Sequence, residues 1–383
     1  PTPDCVGCWA AKGGAIVAMD ARDGAIRALA SAPRYNPSLY AGRVDQGALD
    51  RAGLTVARAE ALNRPGLNRA IAGLYPAGST FKPVTALAAM QEHLISPYEP
   101  LQCDPVFESY DQKFKNWNSS TNMPMALATA LEQSCDTYFY RLGEAFYRLP
   151  DDRGQPLQSW ASQFGFGKRS GIEIPGESSG LLPTIRWRKA TYDTKLDRLW
   201  KPGDSIQLAI GQKDLQVTPL QMTRFYAFLA NRGRLVTPHL VTAVVRPGTN
   251  RSDPVPIRRL PAPPVKPVNV DPTGLEVVRQ GLYQATHGTF GTSTAVFGSF
   301  PIAIAGKTGT AEMAVPVPGL PPGTLVDQSW WCGYGPVESP ELVVCALIEN
   351  GGHGGTAAAP AALEVFAEYF DVPAEYQLPT STD

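Results

Sequence analysis

Apolar positions along the chain recur with two different periods. Gly14-Ala-Ile-Val-Ala-Met-Asp-Ala21 and Ala25-Ile-Arg-Ala-Leu-Ala-Ser31 read as short strands, and Asp23-Gly24 between them is a tight hairpin signal. Ser79 to Met90 reads as an Ala-rich apolar helix with Pro83 in its first turn, where proline is tolerated. Ala126 to Phe146 reads as one or two helices. Thr218 opens another through Asn231, with Pro219 at its first position, and Gly274 to Thr286 is helical again. Three strands follow, Ile302 to Glu312, Ser329 to Gly335 and Glu341 to Glu349, with Pro336 to Pro340 turning the last two. A helix from Ala358 to Phe370 closes the pattern.

Between these elements, residues 34–72 read as a crossing segment, 97–122 as polar, aromatic and irregular, and 150–205 as loop-rich. The Pro-rich stretch 246–272 reads as an extended surface connection. Strands at both ends and helices in the middle predict an α/β chain of the α+β type. The expected form is one antiparallel sheet built from both ends and covered by helices, plus a mostly helical lobe.

Composition narrows the function classes. In 383 residues the hydrophobic share is 43%, which excludes disorder for most of the chain, and 36 Gly with 36 Pro predict many loops. Basic and acidic residues number 34 and 35, so there is no cationic footprint for nucleic acid. No apolar run is long enough to span a membrane as a helix. The chain opens on Pro1 rather than Met and is read as a fragment or processed product. Cys5 and Cys8 form a lone C-x-x-C, read as a free or locally bridged pair on a terminal tail, and no histidine has metal-type spacing. Cys332 and Cys345 lie symmetrically about the turn near Val337 and Glu338. A cross-strand disulfide there would be strained, so the symmetry is read as coincidence.

Three segments carry chemistry. Ser79-Thr-Phe-Lys82 sets a hydroxyl and an amine on one face of a helix start, a nucleophile beside a base whose pKa burial and a second cation would lower. Its plainer reading is an N-capping Ser with an exposed Lys. Ser134-Cys135-Asp136 offers a second hydroxyl and a carboxylate, or a helix cap. Lys307-Thr308-Gly309-Thr310 follows an apolar strand and offers a cation and two hydroxyls along its edge, with Gly309 leaving room for a ligand. Backbone N–H groups of Ser79 and Thr310 are candidates for an oxyanion hole.

In this order the segments match the three-motif set of penicillin-recognising serine enzymes, with Asp136 where Asn is usual. The chain resembles the transpeptidase domain of class B penicillin-binding proteins, the elongation-type penicillin-binding protein 2 above all. The likeness runs from about Gly13 to Phe370. Leu74-Tyr-Pro-Ala-Gly-Ser-Thr-Phe-Lys82, Ser134-Cys-Asp-Thr-Tyr-Phe-Tyr140, Trp200-Lys-Pro-Gly-Asp204, Gly211-Gln212, Val217-Thr-Pro-Leu-Gln221 and Gly306-Lys-Thr-Gly-Thr-Ala311 carry it. Lys213 stands where the family usually has Gly.

The resemblance implies a transpeptidase unit over 13–375 between short tails (1–12 and 376–383). Its sheet lobe would come from about 13–95 and 274–370, and its helical lobe from about 96–273. It implies that Ser79 attacks the carbonyl between the last two D-alanines of a peptidoglycan stem peptide, and that an amine from a neighbouring stem then resolves the acyl-enzyme. Lys82 would be the general base, Ser134 a proton relay, Asp136 an orienting group and Lys307 an electrostatic partner. Thr308 and Thr310 would clamp the substrate carboxylate, and Trp331 is a candidate wall of the acyl pocket. Tyr110, Phe114 and Trp117 would rim the cleft.

The same resemblance implies lipid-linked precursors as substrates and β-lactams as inhibitors. It also implies a membrane glycosyltransferase or elongation-complex partner, reached through an upstream anchor on the extracytoplasmic face of the cell membrane. No cofactor is expected. Some relatives hold zinc between the first two motifs; with Cys103, Asp104 and Asp111 there but no His, none is expected here. A β-lactam sensor or binding module, and a serine β-lactamase or D,D-carboxypeptidase, are the rival readings.

Overall fold

The structure is a computed structural model and describes residues 11–248, 255–314 and 323–376. The Cys5–Cys8 pair and most of both expected tails lie outside the described residues. Strands β1 (Gly14–Asp20) and β2 (Ile26–Ala32) form the predicted hairpin, with Gly24 at φ +88° in its turn. The crossing segment coils into three short helices, α1 (Gln46–Arg51), α2 (Val56–Ala59) and α3 (Arg69–Ala72). A 3₁₀ turn over Gly78–Phe81 runs into α4 (Lys82–Gln91).

Residues 97–122 hold order that the pattern did not reveal. β3 (Leu101–Cys103) pairs with β6 (Met123–Met125), and between them β4 (Val106–Ser109) pairs with β5 (Gln112–Lys115). Strands of three or four residues are too short to show a period. The middle of the chain then gives α5 (Leu127–Glu132), α6 (Asp136–Tyr147), α7 (Pro156–Gln163), α8 (Ile185–Thr191), α9 (Pro202–Leu208) and α10 (Pro219–Ala230). The short strands β7 (Arg234–Leu235) and β8 (Ala243–Val245) precede the Pro-rich stretch, which carries their partners β10 (Lys266–Pro267) and β9 (Pro256–Arg259). After α11 (Pro272–His287) and α12 (Thr294–Phe297) come β11 (Ala305–Ala314), β12 (Leu325–Gly335), β13 (Leu342–Ile348) and α13 (Ala358–Phe370).

The main sheet is antiparallel with the order β11-β12-β13-β1-β2, so the two ends of the chain meet where Gly14 faces Ile348. One face is covered by α12 and α13, which bury Trp331, Phe297, Leu363 and Phe366. The other face packs on α10. All twelve residues of α10 are buried, most of them apolar, and its polar Gln221, Thr223 and Arg224 find hydrogen-bond partners there. Its start is set by Thr218 and Gln221, which each satisfy a backbone N–H of the other.

Cys332 and Cys345 are directly opposed in the β12–β13 register and form a disulfide, with Cα atoms 4.1 Å apart. The expectation of coincidence is corrected: the hairpin register that brought the pair together also brings the sulfurs within bonding distance.

The segment leading to Ser79 is tied to the end of β13. The buried Arg69 guanidinium donates to Glu349 Oε1 at 2.7 Å, and Tyr75 Oη and Asn63 Nδ2 donate to the same carboxylate at 2.7 and 3.0 Å. Burial pushes the Glu349 carboxyl up, but these donors outweigh it and hold it below its usual range. A carboxyl with a depressed folded pKa stabilises the fold fully above its unfolded value of about 4.3, and that contribution fades as pH falls through the folded value. Glu349→Ala is expected to leave a buried guanidinium without its counter-ion and to cost about 3 kcal/mol. Calorimetry should show a lower Tm at pH 7 and a smaller deficit in acid, where wild-type Glu349 is itself protonated.

Candidate active site

Ser79 sits on the 3₁₀ turn that launches α4, and Lys82 follows one turn later. The backbone around Ser79 is fixed from three sides. Trp330 Nε1 donates to Pro76 O at 3.0 Å, Thr80 Oγ1 donates to Ala77 O at 2.6 Å, and Tyr226 Oη, from α10, donates to Thr80 O at 3.1 Å. Strand β11 lies directly against this turn. Gly78 has φ +54°, and a Cβ there would stand 2.6 Å from Thr310 O. A Cβ on Gly309 would stand 2.9 Å from Thr80 Cγ2 and 3.1 Å from Ala77 O. The room left by Gly309 is thus filled by the nucleophile's own turn, which corrects its reading as space for a ligand.

Lys82 is fully buried, and its ammonium reaches the junction of α5 and α6. Nζ donates to Ser134 O at 2.6 Å, to Asp136 Oδ1 at 2.7 Å and to Ser134 Oγ at 3.2 Å. Ser134 adopts φ +55°, a left-handed step that breaks the helix and aims both its oxygens at Lys82. Asp136 is held in turn by Asn116 Oδ1, which accepts its N–H at 2.8 Å, and by Trp117 N–H, which donates to Oδ2 at 3.0 Å. Sequence reasoning missed Asn116; the Asn116-Trp-Asn118 cluster was its signal. Burial pulls the Lys82 pKa down, and the Asp136 charge opposes that pull without cancelling it.

Lys307 is also fully buried, and donates to Thr308 O at 3.1 Å and Thr308 Oγ1 at 3.4 Å. Burial pulls it well below the ordinary lysine range, and the neighbouring Lys82 charge adds to the effect. Thr308 Oγ1 donates to Thr292 Oγ1 at 2.7 Å, a partner that sequence reasoning also missed. β11 is an edge strand, and Thr310 O points off that edge to accept from Gln212 Nε2 at 3.4 Å. The N–H of the same residue projects the same way. Ser79 N–H lies in a first helical turn, where no intrahelical carbonyl reaches it. Ser79 and Thr310, whose N–H groups are the expected oxyanion donors, both line one cleft.

That cleft has a volume of about 1670 Å³, and Ser79, Ser134, Asp136, Thr308, Gly309 and Thr310 all line it. Phe114 and Trp117 stand on its rim, whereas Tyr110 packs edge-on against Tyr147. Trp331 does not reach the cleft. Its ring stacks on Phe297 at 4.6 Å, Nε1 donates to Ser293 Oγ, and α13 covers it, so the candidate acyl-pocket wall is a core residue. Lys213 adopts the left-handed φ of +64° that its usual Gly would take freely, and its ammonium pairs with Asp204. Cys103 is bonded to Cys135. Among the described residues no cluster of three His, Cys, Asp or Glu side chains could hold a metal ion.

Comparison with known proteins bears on this geometry. A peptidoglycan D,D-transpeptidase MrdA of Haemophilus influenzae is 32% identical over 372 residues, covering 94% of this chain and 53% of that protein. The crystal structure of Pseudomonas aeruginosa PBP2 in complex with WCK 5153 superposes with a TM-score of 0.76 at 31% identity, covering 96% of this chain and 76% of that one. The Helicobacter pylori PBP2–MreC complex gives a TM-score of 0.72 at 27% identity, covering 88% and 56%. The chain spans about half the length of the curated relatives it matches. The model of the penicillin binding protein transpeptidase domain matches residues 14–368, from the first strand of the sheet to the last helix, and the chain belongs to that family.

Proposed function

We propose that this chain is a peptidoglycan D,D-transpeptidase of the cell-wall elongation type. The observation that carries the reading is the meeting of Ser79, the Ser134–Asp136 turn and the edge of β11 in one cleft above two buried amines. In the proposed reaction Ser79 Oγ bonds to the carbonyl carbon between two terminal D-alanines, and the C–N bond breaks. Its proton passes by Lys82 and Ser134 to the departing D-alanine amine. An amine of a neighbouring stem peptide then attacks the ester, forms the cross-link and restores Ser79. The N–H groups of Ser79 and Thr310 take the negative charge that develops on the carbonyl oxygen.

Charge balance assigns the amines their parts. Asp136 is ion-paired with Lys82 and not with Lys307, so holding both amines protonated would bury a charge without a counter-ion. Lys307 has only neutral acceptors, so it is the amine that stays uncharged in the empty cleft. A substrate carboxylate seated on Thr308 and Thr310 supplies the missing counter-charge. Lys307 then takes a proton, and its new charge drives the proton off Lys82, which becomes the base. Two disulfides among the described residues fit an oxidising, extracytoplasmic setting.

Incubation with penicillin should add one acyl group, mapped by mass spectrometry to the Ser79 peptide, and Ser79→Ala should remove it. Persistence of the adduct in that variant would displace Ser79 as the nucleophile. Rapid turnover of penicillin would favour the β-lactamase reading. Lys82→Ala and Lys307→Ala are each expected to slow acylation by about 10²- to 10⁴-fold. The acylation rate should rise with pH, since the neutral amine is the base. Its midpoint should lie below the ordinary lysine value of about 10.4, because burial lowers the Lys82 pKa. Gly309→Ala should push β11 off the Ser79 turn and reduce acylation with little loss of fold, checked by circular dichroism.

A further inference from the structure

The Cys103–Cys135 disulfide lies inside the second motif, because Cys135 is the residue between Ser134 and Asp136. All the hydrogen bonds of Lys82 Nζ go to the two residues flanking it. The turn is gripped on one side by α5, where Cys135 N–H donates to Ala130 O and Ser134 N–H to Leu131 O. On the other side it is gripped by the insert that runs from β3 to β6. Thr137 Oγ1 donates to Asp104 O and accepts from Asp104 N–H, both at 2.9 Å, and Asn116 and Trp117 hold Asp136.

The insert is a weak clamp by itself. Its strands are three and four residues long and form only two-stranded pairs; Phe107 and Phe114 reach the core, but Val106, Trp117 and Met123 are exposed. Both sulfurs are fully buried where the insert meets α6. The disulfide is the covalent link between this clamp and the turn that holds the amine.

We propose that the Cys103–Cys135 disulfide is a positioning element for acylation, and that it makes the rate of the reaction depend on the oxidation state of these two thiols. The inference rests on the transpeptidase reading above, since it concerns the same serine and amine. With the bond in place the 134–136 turn cannot slide along α6, and Ser134 Oγ stays between Lys82 and the cleft. With the bond reduced, the turn keeps its hydrogen bonds but gains freedom at the point where displacements of about an ångström cost rate. Reduction by a phosphine is balanced: the S–S bond accepts two electrons and two protons, and the phosphine leaves as its oxide with oxygen from water.

The test measures acylation by a fluorescent penicillin before and after treatment with tris(2-carboxyethyl)phosphine, with mass mapping of alkylated thiols to report which disulfides opened. Saturation kinetics separate the acylation rate from the non-covalent affinity. The expected result is a fall of about ten- to a hundred-fold in acylation rate, with affinity within about two-fold and still one adduct per chain. Cys103→Ala should behave as the reduced protein does. It also spares the Cys135 sulfur, which accepts Tyr138 N–H at 3.3 Å and caps α6. The double variant Cys332→Ala/Cys345→Ala should keep its sensitivity to the phosphine.

Three results would overturn the proposal: an unchanged rate in protein with Cys103 and Cys135 shown to be free; loss of reactive molecules while those remaining react at the original rate; or disappearance of the sensitivity in the Cys332/Cys345 variant. Failure of the untreated wild type to take any label would instead sink the transpeptidase reading.

Discussion

An ammonium group taken out of water must find acceptors to replace its hydration, and Lys82 finds its hydrogen-bond acceptors in a single turn. Much of the architecture can be read as the means of keeping that turn where it is. The helical run from Ala126 to Tyr147 breaks so that two oxygens of Ser134 can face inward. An insert of short strands, seated on the core by Phe107 and Phe114, folds over the break and supplies the Asn116 side chain and the Trp117 N–H that orient Asp136. Stability is conceded locally, in a left-handed residue and a buried ion pair, to obtain a fixed position for one amine.

The opposite wall of the cleft is governed by packing rather than by charge. Trp330, Tyr226 and Gly309 press the Ser79 turn between the sheet and α10, with almost no side-chain freedom left at the contact. The two walls therefore respond to different changes. Lys307 belongs to the first wall by its strand and to the second by its charge, and it couples them electrostatically without a direct hydrogen bond.

Much of this was readable from residues alone. Periodicity placed β1, α10, α11 and α13, because each buries enough positions to repeat, and the Asp23-Gly24 turn placed β2 beside β1. The three motifs announced the cleft through chemistry that few other arrangements require. What the sequence concealed depends on three-dimensional neighbours. Trp331 and Trp330 are adjacent in the chain, but alternation along β12 sends one to α13 and the other to Pro76, and nothing local says which face is open. Cys103 and Cys135 are 32 positions apart and meet only because β3 returns to the start of α6. Gly309 looked like space for a ligand because the residue that fills the space, Thr80, comes from a distant segment.

The pairing of β1 with β13 has a consequence for how the molecule comes into being. Gly14 leaves the ribosome long before Ile348, so the first hairpin has one open flank until β13 follows. Closing so long a loop is entropically slow, and contacts this distant in sequence place the fold among those that form late. The nascent chain can build helices as it emerges, but its central layer has to wait for the final strand. A protein truncated before that strand would lack the sheet's middle rather than merely its end.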